Sequence, residues 1–138
     1  MTELTHYIGG AHVKGTSGRF ADVYNPATGE VQAKVPLASA AEMSQAVEIA
    51  ETAQRAWGAV NPQRRARVMM KFVDLLNRDM EQLAEALSRE HGKTLPDAKG
   101  DVQRGLEVVE YCIGTPQMLK GEFTDSAGPA IDMYSMRQ

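Results

Sequence analysis

The sequence is short of several things at once, and each shortage removes a class of function. It has one cysteine, Cys112, so no internal disulfide can form, which suits a reducing compartment. Its histidines, His6, His12 and His91, lack metal-ligand spacing, with no i, i+4 pair and no C-x-x-C nearby. No apolar run approaches the roughly 18 residues that a membrane helix needs. The start, MTELTHYIGG, has no cationic stretch leading into an apolar one, so no secretory signal is expected. An excess of positive charge is missing too. Fifteen Lys and Arg against eighteen Asp and Glu leave a formal charge of -3, which gives no electrostatic reason to expect nucleic acid or an anionic membrane. No G-x-G-x-x-G run leads from a strand into a helix, so no phosphate loop is expected. The absences together leave a cytoplasmic globular chain.

What is present is a hydrophobic content of 43%, enough for a packed core, distributed in two styles. The first 35 residues favour short strands. Gly9-Gly10 tolerates positive φ at both positions of a tight turn, and Asn25-Pro26-Ala27-Thr28-Gly29 has the composition of another. Strands are therefore expected over residues 7–35. Helical spacing then takes over. Ser39 and Glu42 form the S-x-x-E capping box, followed by Met43, Ala46, Val47, Ala50, Ala53 and Trp57 and a stop at Gly58. Asn61-Pro62 restarts the helix, and Ala66, Met69, Phe72, Val73 and Leu76 give it a face to bury. Four helices are expected, over about 40–57, 62–77, 80–91 and 95–119, with Thr94 and Asp97 as caps of the last. Residues 121–130 have loop composition, and 131–138 reads as a strand with no partner after it.

Three groups are candidates for chemistry. Cys112 lies at the Val109/Ile113 edge of the fourth helix, without a histidine close in sequence, and reads as a small buried hydrophobe. Arg64, Arg65 and Arg67 crowd the first turns of the second helix, the electrostatically unfavourable end for cations, and read as a solvated face or a contact to another segment. Arg104 shares a helix face with Gly100, Val108 and Tyr111, opposite the stripe of Val102, Leu106, Val109 and Ile113. Gly100 and Gly105 each lower helix propensity by about 1 kcal/mol relative to alanine, which suggests that a backbone or ligand approaches closely there. Arg104 can serve in an ion pair with Asp101 or Glu107, or as a planar fork for a ligand carboxylate.

At these residues a family resemblance enters. Tyr7-Ile8-Gly9-Gly10, Asn25-Pro26-Ala27-Thr28-Gly29-Glu30-Val31, Glu90-His91-Gly92-Lys93-Thr94 and Gly100-Asp101-Val102-Gln103-Arg104-Gly105 resemble the N-terminal portion of aldehyde dehydrogenases. The G-D-V-x-R-G run is similar to the CoA-acylating methylmalonate-semialdehyde dehydrogenase branch. The resemblance implies an α/β fold, with residues 1–130 the helix-rich N-terminal part of an NAD-binding domain and 131–138 the start of an oligomerisation strand. It implies oxidative decarboxylation of methylmalonate or malonate semialdehyde with NAD and coenzyme A, as in valine catabolism, by a homotetramer. It implies that Arg104 helps hold the substrate carboxylate. It assigns no catalytic, cofactor-binding or metal residue here, because the family's asparagine, cofactor glycines, base and cysteine nucleophile lie beyond this stretch. The stretch alone is then expected to be inactive and to bind neither NAD nor coenzyme A. A different class of function is also open, a truncated paralogue that acts as a subunit-interaction module without catalysis.

Overall fold

Strand-forming residues at the start and helical periodicity after Ser39 do separate as expected, and a computed structural model describes residues 2–137. The chain forms two compact units. One takes the residues up to Val60 together with Ala84–Ala98, the other Asn61–Leu83 with the residues from Lys99 on.

In the first unit, β1 (Thr2–Glu3), β5 (Val31–Pro36) and β4 (Phe20–Tyr24) form a sheet in the order β1-β5-β4. β1 runs parallel to β5, and β4 antiparallel. β2 (His6–Ile8) and β3 (Ala11–Val13) make a separate hairpin. Its turn places Gly9 at φ 62° and Gly10 at φ 80°, which L residues with side chains rarely adopt. The β4–β5 turn is closed by Asn25, whose Oδ1 accepts from the Ala27 amide at 2.9 Å.

α1 (Ala40–Gly58) begins with the capping box complete. The Glu42 amide donates to Ser39 Oγ at 3.2 Å, and the Ser39 amide donates to Glu42 Oε2 at 2.7 Å. Glu42 Oε1 also accepts from the Thr16 amide at 2.6 Å, tying the loop after β3 to the helix start. Hydrogen bonds from the Ser39 backbone, then the Thr16 backbone, hold the Glu42 carboxyl down at about 2. The helix ends at Gly58, where a stop is expected, though without a left-handed glycine. The helix runs through Gly58 to a cap at Ala59 with φ -76°. The following Asn61-Pro62 explains why it goes no further, since the residue before a proline disfavours the helical region.

In the second unit, α2 (Pro62–Arg78) starts with Asn61 Oδ1 accepting from the Gln63 amide at 2.8 Å. It stops at Asp79, which Arg78 grips through Nε and Nη2 at 2.8 and 2.7 Å. That fork lowers the Asp79 carboxyl below its usual range. α3 (Met80–His91) and α4 (Leu95–Ile113) each divide their residues between the two units. Gly92 between them has φ 81°, and a Cβ there would lie 2.9 Å from Pro26 Cγ, so only glycine fits.

Three expectations need correction. The fourth helix ends at Ile113, not 119, and a short α5 (Thr115–Met118) follows. Pro116 has no amide to continue the ladder, so the chain restarts with proline in the first turn. The last strand, β7, covers Ile131–Tyr134 and not the whole of 131–138, of which Gln138 lies outside the described residues. Nor is it without a partner. Residues of loop composition form β6 (Phe123–Gly128), which pairs antiparallel with β7 through an irregular register.

Among the described residues the buried hydrophobic side chains are few and mostly small: Ala33, Ala66, Ala84, Ala98 and Leu106. α1 buries none of its residues, and Met43, Val47 and Trp57 stay exposed. Phe72 of the expected α2 face is exposed as well. Periodicity marks where apolar residues line up; it does not supply what covers them.

Candidate functional site

α4 starts after Thr94 with Pro96 in its first turn, where a missing amide costs nothing. Asp97 is engaged by Lys93 Nζ at 3.1 Å. From there the 3.6-residue period sorts its side chains onto two faces. Ala98 and Leu106 are buried, and Val102, Val109 and Ile113 beside them are half-buried. Gly100, Arg104, Val108 and Tyr111 make the opposite face, and all four are exposed.

Arg104 pairs with Asp101, the nearer in role of its two expected partners. Its Nη1 donates to Asp101 Oδ1 at 2.6 Å, one turn back along the helix. The other acid, Glu107, accepts from Gln103 Nε2 at 3.4 Å. The arginine side chain is 76% exposed and the aspartate 34% exposed. Ion pairs this exposed contribute roughly 0–1 kcal/mol. The pairing therefore orients a cation at the surface more than it stabilises the helix. Nearby, Lys99 of α4 pairs with Glu81 of α3.

The close approach expected at Gly100 and Gly105 is not found among the described residues. A Cβ built on either would meet nothing within 4 Å. The two glycines therefore leave the helix surface on both sides of Arg104 open. With an exposed valine and tyrosine beside them, they make an uncovered face with one cation in it. Such a face can take a carboxylate on the guanidinium fork and an apolar group beside it.

The other candidates fall elsewhere. Cys112 is a free thiol and half-buried, so it is less enclosed than expected. Its position on the turn between the two faces of α4 accounts for this. Arg64 and Arg67 are exposed, whereas Arg65 is half-buried, and its buried Nε has no hydrogen-bond partner among the described residues. His12 Nδ1 lies 2.9 Å from Thr5 Oγ1, and its ring stands edge-on to Tyr7. Among the described residues no group of three His, Cys, Asp or Glu is placed to hold a metal, and no helix is long and apolar enough to cross a membrane. The positive-φ glycines among the described residues, Gly9, Gly10, Gly18, Gly29 and Gly92, sit in loops and turns.

Comparisons with known proteins agree on one family. The sequence model of the aldehyde dehydrogenase family matches residues 12–138. Among solved structures, the chain is similar to a Sinorhizobium meliloti protein assigned as a methylmalonate-semialdehyde dehydrogenase and complexed with NAD. The two share 64% identity and a TM-score of 0.94, over 100% of this chain and 28% of that one. It is 44% identical to a malonate-semialdehyde dehydrogenase of Pseudomonas aeruginosa, over 98% of this chain and 27% of that protein. It is 43% identical to an acylating mitochondrial methylmalonate-semialdehyde dehydrogenase of Arabidopsis thaliana, over 98% of this chain and 22% of that protein. The chain thus spans about a quarter of the length of the relatives it matches. Its fold, a mixture of short strands and helices, is of the α/β aldehyde dehydrogenase type.

Proposed function

The chain belongs to the aldehyde dehydrogenase family, and from that premise we propose that it is the N-terminal segment of an NAD-dependent, CoA-acylating dehydrogenase of methylmalonate or malonate semialdehyde. Support comes from the relatives of that name at 43–44% identity and from the match along the whole chain to the NAD-complexed structure. In this reading residues 1–130 are part of an NAD-binding domain, and residues 131–138 begin a strand that joins subunits of a homotetramer. The protein works in the cytoplasm, in valine catabolism.

The observation that carries the substrate class is the outer face of α4. A semialdehyde that bears a carboxylate differs from a simple aldehyde by one negative charge, and Arg104 offers an exposed planar cation on an uncovered surface. Arg104 binds and orients the carboxylate. The reacting groups would lie outside these residues: a cysteine thiolate would add to the aldehyde carbon, hydride loss would turn that adduct into the thioester, the carboxylate would leave as CO2, and the coenzyme A thiol would then displace the acyl group from the cysteine. NAD, when bound, accepts the hydride. The segment alone turns over nothing. Incubated with malonate semialdehyde, NAD and coenzyme A, it forms no NADH; measurable turnover would contradict that part of the reading. In the full-length enzyme, Arg104→Ala raises KM for the carboxylated substrate, and an equal loss on propanal would make Arg104 structural.

A second reading is supported by the large apolar side chains left uncovered on α1 and on the β6–β7 hairpin. There the chain is a subunit-interaction module without catalysis. An open reading frame that stops naturally after Gln138 would favour it, and one that continues would favour the dehydrogenase.

A further inference from the structure

The Asp101–Arg104 pair is one-sided. Asp101 takes Arg104 by Nη1 alone, and among the described residues no acceptor is placed on Nε or Nη2. A guanidinium offers two edges to a carboxylate, and the Nε–Nη2 edge can donate two parallel N–H···O bonds side-on. The contact to Asp101 leaves that edge open. It also has a direction: the shorter, less exposed side chain holds the longer, more exposed one. Arginine in water samples many rotamers, and ordering them on binding opposes affinity. An acceptor already seated on Nη1 removes part of that freedom beforehand. Gly100 and Gly105 add no side chain that could screen the fork.

We propose that Asp101 is a positioning residue for substrate selection. It holds Arg104 by Nη1 so that the Nε–Nη2 edge is presented to the carboxylate of a short carboxylated aldehyde. This rests on the reading of Arg104 given above. The opposite role, an internal carboxylate that competes with the substrate for Arg104, predicts effects of the opposite sign.

The test is steady-state kinetics of the full-length enzyme with malonate semialdehyde and with propanal, for Arg104→Ala, Asp101→Ala, Asp101→Asn and the double alanine variant. Asp101→Ala is expected to raise KM for malonate semialdehyde about three- to tenfold, the effect of having to order one arginine side chain on binding, with kcat and the propanal constants within about twofold. Asp101→Asn keeps an oxygen for Nη1 and falls between wild type and Asp101→Ala. On the ratio between the two substrates the double variant is no worse than Arg104→Ala, because Asp101 acts on selection through Arg104. A lower KM in Asp101→Ala overturns the proposal in favour of competition, and parallel losses on both substrates overturn it in favour of a structural role. If Arg104→Ala itself fails to separate the two substrates, the reading of Arg104 falls, and the proposal falls with it. If Arg104→Ala separates them and Asp101→Ala leaves them together, only the proposal fails. A second readout needs no turnover: the Arg104 Nε–H resonance of the 138-residue chain is followed during titration with malonate. Asp101→Ala is expected to shift the midpoint to about three- to tenfold higher malonate, and an unmoved midpoint counts against positioning.

Discussion

Leu106 and Val108 stand two residues apart on α4 and are both aliphatic, yet Leu106 is 2% exposed and Val108 is 63% exposed. Tyr111, one turn further along the outer face, is 71% exposed. The inner face has its cover within these residues; the outer face carries apolar groups and a cation with nothing over them. Residue type therefore does not separate the faces, and the presence of a neighbour does. α1 sits at the uncovered extreme, with no buried side chain and a start secured by polar contacts from Ser39 and Thr16 to Glu42. One region is held by burial, another by hydrogen bonds at its cap, and the outer face of α4 by neither.

The comparison breaks most visibly at Leu106. Leu106→Ala should destabilise the chain by about 2–5 kcal/mol, the range for a buried leucine cut back to alanine. Urea denaturation measures this, and a loss below about 0.5 kcal/mol, the size usual for a surface position, would remove the distinction between the faces.

A pH titration separates burial from polar anchoring. The folded Glu42 carboxyl titrates at about 2, below its unfolded value of 4.5. Its contribution is therefore fully present above about pH 4.5 and is lost as pH falls towards 2. Glu42→Gln should melt below wild type at pH 7, and the gap should shrink on acidification through that window. A gap in melting temperature that is the same at pH 7 and pH 2.5 would show that the carboxylate is not what secures α1.

Smaller effects are expected on the outer face. Gly105→Ala should raise the stability of this chain by about 0.5–1 kcal/mol, since nothing occupies the space a methyl would enter. If the same change lowers activity in the full-length enzyme, the open surface beside Arg104 has a functional use; unchanged activity would make the glycine incidental. Val108→Ala should change stability by less than about 0.5 kcal/mol.

Much of this was legible in the sequence where the signal is local. The Ser39/Glu42 box, the Asn61-Pro62 start and the Gly9-Gly10 turn each need only the residues that form them, and each is found. The period of α4 separates Leu106 from Arg104 correctly for the same reason. What depends on a distant partner was not legible. β6 is hidden in Thr-Asp-Ser-Ala-Gly, because its strand character comes from pairing with β7, and Ser126 and Ala130 take positive φ where glycine would have been the signal. The face of α2 is expected to be buried from spacing alone, which gives alignment and not cover, and Phe72 on it stays exposed. At the site, Asp101 was visible as a pairing partner of Arg104, but residue spacing does not reveal that the contact runs through Nη1 and leaves the second edge open.

The selectivity of the full-length enzyme tests the role of that face most directly, as the ratio of kcat/KM for malonate semialdehyde to kcat/KM for propanal, with and without Arg104. Arg104→Ala should lower the ratio by about 10- to 100-fold, the effect of losing a charge-assisted pair to the carboxylate alone. A ratio that stays at the wild-type value would contradict the assignment of α4's outer face to substrate selection.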